Sequence, residues 1–131
     1  MSPATRWEID EADWDLAKTA VKRRLVASAR ASSTLSYSEL VHEVGYFSGP
    51  DSHALAEMLG EINAEEDPYK DQPLLLSAVV THKNDAYPGV GFFSAAEYLG
   101  KSVPRADEER RVFWAKELEA VFEAYGRSGD R

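Results

Sequence analysis

The chain has 131 residues, 44% of them hydrophobic and 29% charged, which predicts one domain with a single core and excludes a disordered chain. It has no cysteine, so disulfides, thiolate metal sites and thiol nucleophiles are excluded. The formal net charge of −8 disfavours a DNA-binding domain, which needs a basic field to hold phosphates, and favours a protein partner. No apolar run approaches the roughly 20 residues that span a bilayer, and the N-terminal residues lack the apolar stretch of a signal peptide. We therefore expect a cytoplasmic protein without membrane contact and with flexible ends at residues 1–9 and 127–131.

A long first helix is predicted from Asp10, the expected N-cap, to the small polar segment 31–33. Apolar residues recur along it at spacings of three and four and predict its buried stripe: Trp14, Ala17, Val21 and Leu25. Its second half carries a basic cluster, made of Lys22, Arg23, Arg24 and Arg30. Acidic residues near the start and basic ones near the end suit the helix dipole.

A short second helix has the strongest local signal in the chain. Ser36 and Glu39 have the spacing of a capping box, with Leu35 and Leu40 at the staple positions around it. Gly45 is the predicted stop.

A third helix is expected after the turn 46–50, with Pro50 at its first position. Its buried positions follow a helical period and are Leu55, Met58, Leu59 and Ile62. The opposite face is expected to present His53, Ala54, Glu57 and Glu61.

The segment from Leu74 to Phe93 is predicted to form a β-hairpin. The apolar run Leu74 to Thr81 gives the first strand, residues 83–89 the loop, and Val90 to Phe93 the returning strand. A brief helix should follow, with Ser94 and Glu97 as a second capping box, Phe93 and Tyr98 as its staple, and Gly100 as its end. The last helix is expected from Ala106 to Tyr125, buried through Trp114, Leu118, Val121 and Tyr125.

This order of elements resembles a winged helix-turn-helix, an α+β and mainly helical fold. The portion from Ser36 to Ile62 is similar to the helix-turn-helix pair, the segment from Leu74 to Phe93 to the wing, and the outer helices are expected to pack together beside that core. The start Leu35-Ser36-Tyr37-Ser38-Glu39-Leu40 also resembles the opening of the alkyltransferase-like DNA-binding domain. That family's Pro-Cys-His-Arg segment is absent, so its repair activity cannot be carried over.

Two groups of residues are candidates for binding. The outer face of the third helix and the wing tip form a candidate partner surface: His53, Glu57, Glu61, His82, Lys83, Asn84 and Tyr87. The basic cluster and the wing form a candidate phosphate-contacting surface: Lys22, Arg23, Arg24, Arg30 and Lys83. Each also has a structural interpretation, as a solvated helix face or a polar turn.

No motif assembles catalytic, cofactor or metal chemistry. The three histidines, His42, His53 and His82, lie on different predicted elements without a ligand spacing, and no nucleophile elbow or P-loop occurs. We therefore expect a non-enzymatic binding module with a regulatory or adaptor role, with no cofactor and a protein partner. The alternatives are a DNA-binding transcriptional regulator, acting as a dimer through the basic cluster and the wing, and an acidic antitoxin or immunity-type protein.

Overall fold

Helices dominate the chain, with short strands between them. The computed structural model describes residues 5–6, 9–50, 52–65, 74–82 and 87–129. Their order is β1 (Thr5–Arg6), β2 (Ile9–Asp10), α1 (Glu11–Arg30), β3 (Leu35–Ser36), α2 (Tyr37–Val44), α3 (His53–Glu65), a 3₁₀ helix (Leu76–Val79), β4 (Val80–Thr81), α4 (Val90–Tyr98) and α5 (Asp107–Gly129). The fold is thus mainly helical with a minor β component, as the sequence predicted at that level.

The first three helices show the buried positions that the sequence predicted, and the second also shows its capping box. The stripe Trp14, Ala17, Val21 and Leu25 is buried along α1. At the start of α2, Ser36 Oγ accepts from the Glu39 amide at 3.0 Å while the Glu39 carboxylate accepts from the Ser36 amide at 3.2 Å, so the capping box is confirmed. Gly45 ends this helix at φ +78°, a left-handed conformation that favours glycine. The apolar positions predicted for α3 are all buried.

The predicted wing hairpin is wrong. Leu76–Val79 is a 3₁₀ helix, and Val90–Tyr98 is an α-helix rather than a returning strand. Val80–Thr81 forms a short strand, which pairs in parallel with β3, Leu35 opposite Val80 and Ser36 opposite Thr81. Residues 75–81 are nevertheless buried. The His82 amide donates to the Tyr87 carbonyl at 3.0 Å, and residues 83–86 of the predicted loop lie outside the described ranges.

Smaller predictions about Pro50, Ala54 and the second capping box are also wrong. Pro50 lies three residues before α3, whose first turn is closed by Ser52, with its Oγ accepting from the Leu55 amide at 3.2 Å. Ala54 is fully buried and faces the core. The second capping box does not form, because α4 begins at Val90 and both proposed capping residues lie inside it; the proposed staple residue Tyr98 is 88% exposed.

The two longest helices pack against each other, as the sequence predicted. α1 makes its most extensive contact with α5, and both contact the 3₁₀ helix. Near the chain ends, β1 and β2 form an antiparallel pair with Ile9 buried, and α5 continues to Gly129. The flexibility of these ends stays a prediction. Within the described ranges, no helix has both the length and the apolar character that crossing a bilayer requires.

Candidate functional site

A cavity of about 270 Å³ lies beside α3, and we call it the α3 cleft. It is enclosed by the outer side of α3, the first residue of α2, the 3₁₀ helix, His82 and the start of α4. Its apolar lining comes from Pro50, Leu55, Ala56, Leu59, Phe92 and Ala95, and its polar or backbone lining from Tyr37, Ser52, Gly60, Asn63, Ser77, His82, Gly89 and Gly91. An apolar cavity with a few convergent polar groups is the usual form of a binding site.

The Tyr37 side chain joins the start of α2 to the start of α4. Its Oη accepts a hydrogen bond from the Gly89 amide at 3.0 Å, and its ring lies 5.3 Å from that of His82 between centroids. Burial raises the pKa of the Tyr37 hydroxyl, against the opposing effect of the Gly89 bond. The hydroxyl is therefore neutral at physiological pH and keeps its proton for donation.

The floor of the cleft is fixed by two hydrogen bonds between Asn63 and Ser77. Asn63 Nδ2 donates to Ser77 Oγ at 2.8 Å, and the Ser77 amide donates to Asn63 Oδ1 at 3.0 Å. Both residues are buried, so α3 and the 3₁₀ helix are held in one relative position by polar groups shielded from water. The cleft is thereby preformed rather than assembled on binding.

Glycines keep the cleft open on two sides. A Cβ added at Gly60, inside α3, or at Gly91, in the first turn of α4, would meet no atom within 4 Å. Gly89 differs, because a Cβ there would lie 3.4 Å from Tyr37 Oη and 3.5 Å from His82 Nε2. A Cβ at Gly89 would thus be in van der Waals contact with its neighbours, whereas the other two glycines leave room that the fold does not use.

The acidic residues predicted on the outer face of α3 do not all face outward. Trp14 Nε1 donates to Glu61 Oε1 at 2.9 Å, and Lys18 Nζ approaches the same oxygen at 3.2 Å and also bonds to Glu65. Burial lowers the pKa of Lys18, but the bonds to Glu65 and Glu61 outweigh it, so that the pKa is raised overall. Glu61 therefore joins α3 to α1, while His53 and Glu57 remain exposed.

The other predicted partner residues are separated. His82 is exposed and lines the cleft. Tyr87 instead packs into an aromatic cluster, 5.6 Å from Phe93 and 6.3 Å from Trp114 between ring centroids, with the Arg111 guanidinium 4.3 Å from its ring centre. Its buried hydroxyl oxygen has no hydrogen-bond partner among the described residues. Lys83 and Asn84 lie outside the described residues.

The predicted basic cluster divides between two sides of α1. Arg24 bonds to Glu43 and donates to Ser28 Oγ at 2.8 Å, which ties α1 to α2. Lys22, Arg23 and Arg30 line a shallow surface groove with Thr19, Val26 and Ala27, which we call the α1 groove. Neither the groove nor any other described part of the chain groups three histidines or carboxylates in the way of a metal site.

Sequence reasoning missed most of the cleft. Of the candidate residues that the structure describes, only His82 lines it, while Tyr37, Asn63, Ser77 and Gly60 were not predicted as site residues. One signal was available: Asn63 continues the buried spacing of Leu55 and Leu59, and a polar residue on an apolar stripe indicates a buried hydrogen bond.

Comparisons with known proteins give no indication of function. No protein-family model matches the chain, and no curated protein or solved structure matches it significantly. The function is therefore inferred from the α3 cleft, the α1 groove and the charges of the described residues.

Proposed function

We propose that this chain is a non-enzymatic recognition module with a regulatory or adaptor role, and that its α3 cleft receives a segment of a partner protein. We assign α2 and α3 the role of a helix-turn-helix pair in a winged-helix-type core. In that core, β4 and α4 stand in place of the wing.

The proposal rests mainly on the presence of two glycines, Gly60 and Gly91, in the lining of the cleft. Glycine inside a helix destabilises it by roughly 0.5–1 kcal/mol relative to alanine. Neither residue has a positive φ, and space is open in front of both, so the fold itself does not require glycine there. Close approach of another chain to the helix backbone explains both, and they lie on facing sides of one cleft.

Charge favours a protein over DNA as the partner. The chain carries a net charge of −8, and several of its cations are used internally. Lys18, Arg24 and Lys101 pair with carboxylates, while Arg110 lies 4.9 Å from the centre of the Phe93 ring and donates to the Pro104 carbonyl at 2.8 Å. Among the described residues, no lysine or arginine lines the cleft to hold a phosphate backbone.

The experiment compares two alanines of the same helix. Ala56 lines the cleft and Ala64 is exposed outside its lining, so Ala56→Leu fills the cleft and Ala64→Leu is the matched control. Both should keep the far-UV circular dichroism of the wild type. Partners captured from native extract by the wild type and by Ala64→Leu should be lost with Ala56→Leu. Equal capture by all three proteins would refute the cleft as the binding site.

A second candidate, a DNA-binding regulator, is supported by the aromatic character of the cleft. Proteins that take a base out of a duplex hold it against aromatic and apolar side chains. Tyr37 lies in the segment that resembles the alkyltransferase-like DNA-binding domain, and it lines the cleft with His82 and Phe92. Fluorescence anisotropy with a duplex containing an unpaired base, at low ionic strength, tests this. Binding that Ala56→Leu abolishes would favour DNA over protein as the partner, and no binding at 50 µM protein would exclude it.

A further inference from the structure

The described lining of the α3 cleft is uncharged apart from one histidine. Charged residues make up 29% of the chain, yet the described residues that line the cleft include no aspartate, glutamate, lysine or arginine. His82 is exposed to solvent, which weakens any ion pair that it could offer. A charged group entering this cleft would lose its hydration without gaining a buried counter-ion, and that loss is costly. The lining therefore favours an uncharged occupant.

Two hydroxyl groups of the lining have a proton to donate. Tyr37 Oη accepts from the Gly89 amide and donates to no described residue. Ser77 Oγ likewise accepts from Asn63 Nδ2 and donates to no described residue. Tyr37 is half-buried and Ser77 is buried, and polar groups shielded from water are normally hydrogen-bonded. The matching ligand group has lone pairs and no charge, as a peptide carbonyl does.

The approach to the Tyr37 hydroxyl is left open by Gly89. A Cβ at this position would lie 3.4 Å from Tyr37 Oη and 3.5 Å from His82 Nε2, so a side chain there would contact both polar atoms. Glycine leaves both atoms accessible to an entering group.

The size of the cleft suits one bulky side chain. Its volume of about 270 Å³ falls just below the roughly 300–1,000 Å³ of sites that take drug-sized ligands. Its apolar walls come from both helices that enclose it, with Leu55 and Leu59 on α3 and Phe92 and Ala95 on α4. An apolar side chain between these walls removes apolar surface from water on both sides.

We propose that the partner segment places one bulky, uncharged apolar side chain between α3 and α4, and that its backbone carbonyl oxygens accept hydrogen bonds from Tyr37 and Ser77. This inference rests on the proposed function and names the chemistry of the segment. The apolar walls supply the affinity, and the two hydroxyls determine the specificity. A segment with a charged residue at the inserted position is rejected, because the described lining offers no buried counter-ion.

Titration of the whole chain with small probes, followed by two-dimensional amide NMR spectroscopy, tests the preference for an uncharged group. N-acetyl-L-leucinamide should shift the amide signals of Gly60, Gly89 and Gly91 in a saturable way. The α-amide of N-acetyl-L-aspartate has a side chain of similar shape that carries a charge. It should bind at least about tenfold more weakly, because its carboxylate would be desolvated without a partner.

The variant Tyr37→Phe separates recognition from folding. Loss of the donated hydrogen bond should weaken binding of N-acetyl-L-phenylalaninamide by about three- to tenfold. Toluene has the same ring without a carbonyl, so its binding should stay unchanged in this variant. Ser77→Ala should show the same selective loss. Tyr98→Phe is the matched control, since Tyr98 is 88% exposed outside the lining, and it should bind both probes like the wild type.

Three outcomes would overturn the inference. One is N-acetyl-L-leucinamide binding no more tightly than the aspartate amide. Another is Tyr37→Phe weakening toluene as much as the phenylalanine amide, since Tyr37 would then only hold the fold. The third is thymidine binding more tightly than N-acetyl-L-phenylalaninamide, which would favour a nucleic-acid base over a peptide.

The proposed function is judged separately, by the capture of partners from extract. Capture that Ala56→Leu abolishes, together with either of the first two outcomes, would refute this inference and leave the cleft as the partner site. Equal capture by wild type and Ala56→Leu would refute the proposed function whatever the probes do.

Discussion

Replacing Asn63 by alanine removes the link between α3 and the 3₁₀ helix, and its effect on stability can be worked out from the contacts. The Ser77 amide would lose its acceptor at 3.0 Å and Ser77 Oγ its donor at 2.8 Å. A buried N–H left without a partner costs about 1–3 kcal/mol, and the second hydrogen bond adds about 1 kcal/mol. We therefore expect Asn63→Ala to lower the free energy of unfolding by about 2–4 kcal/mol, a large share of the roughly 5–15 kcal/mol typical of a domain.

Urea unfolding followed by far-UV circular dichroism measures this change. Ser77→Ala is the comparison: it removes the hydroxyl but keeps the amide bonded to Asn63 Oδ1, so its cost should be about 1–2 kcal/mol. The double variant should cost less than the sum of the two single ones, because the side chains share a bond. A loss below 0.5 kcal/mol for Asn63→Ala, at an unchanged denaturant slope, would refute the reasoning.

Three further predictions concern the cleft and its surroundings. Gly60→Ala should raise the free energy of unfolding, measured by urea titration, by about 0.5–1 kcal/mol and should weaken partner capture. If the variant is less stable than the wild type, α3 needs glycine at this position and the reasoning is wrong. Ser36→Ala should cost about 1 kcal/mol through loss of the cap, and adding Glu39→Ala should cost little more, as thermal unfolding of both would show. The raised pKa values of Tyr37 and Lys18 mean that the native state holds both protons more tightly than the unfolded chain. The stabilisation from these two protonated groups is complete below pH 10 and is lost as the pH rises through their folded pKa values. The midpoint temperature of thermal unfolding should therefore decrease as the pH is raised beyond 10, and it should decrease less steeply in Tyr37→Phe.

The parts of the fold that sequence predicted correctly are those with local causes. The capping box at Ser36 needs only residues three apart, and the buried stripe of α1 needs only its own period. The contact of the first and last helices also followed, since each is long and amphipathic. These features depend on no distant partner, which is why the sequence displays them.

The segment 74–93 failed because distant contacts decide its form. A short apolar run is compatible with a strand or a buried turn of helix, and period alone does not separate them. Here the Asn63 side chain binds the Ser77 amide, and Trp114 Nε1 donates to the Ala78 carbonyl at 2.8 Å, so backbone groups that a strand would pair with a neighbour are satisfied by side chains. The cleft could not be predicted for the same reason, because its floor is built by the bonds between Asn63 and Ser77.

The start of α4 was missed for a different reason. Val90 to Phe93 contains residues that favour strands, and the two glycines before and within it suggested a turn. The spacing of Phe92, Phe93, Ala96 and Leu99 fits a helix face, and three of these are buried with Leu99 packed against them. Burial of that face outweighs the strand preference of the individual residues.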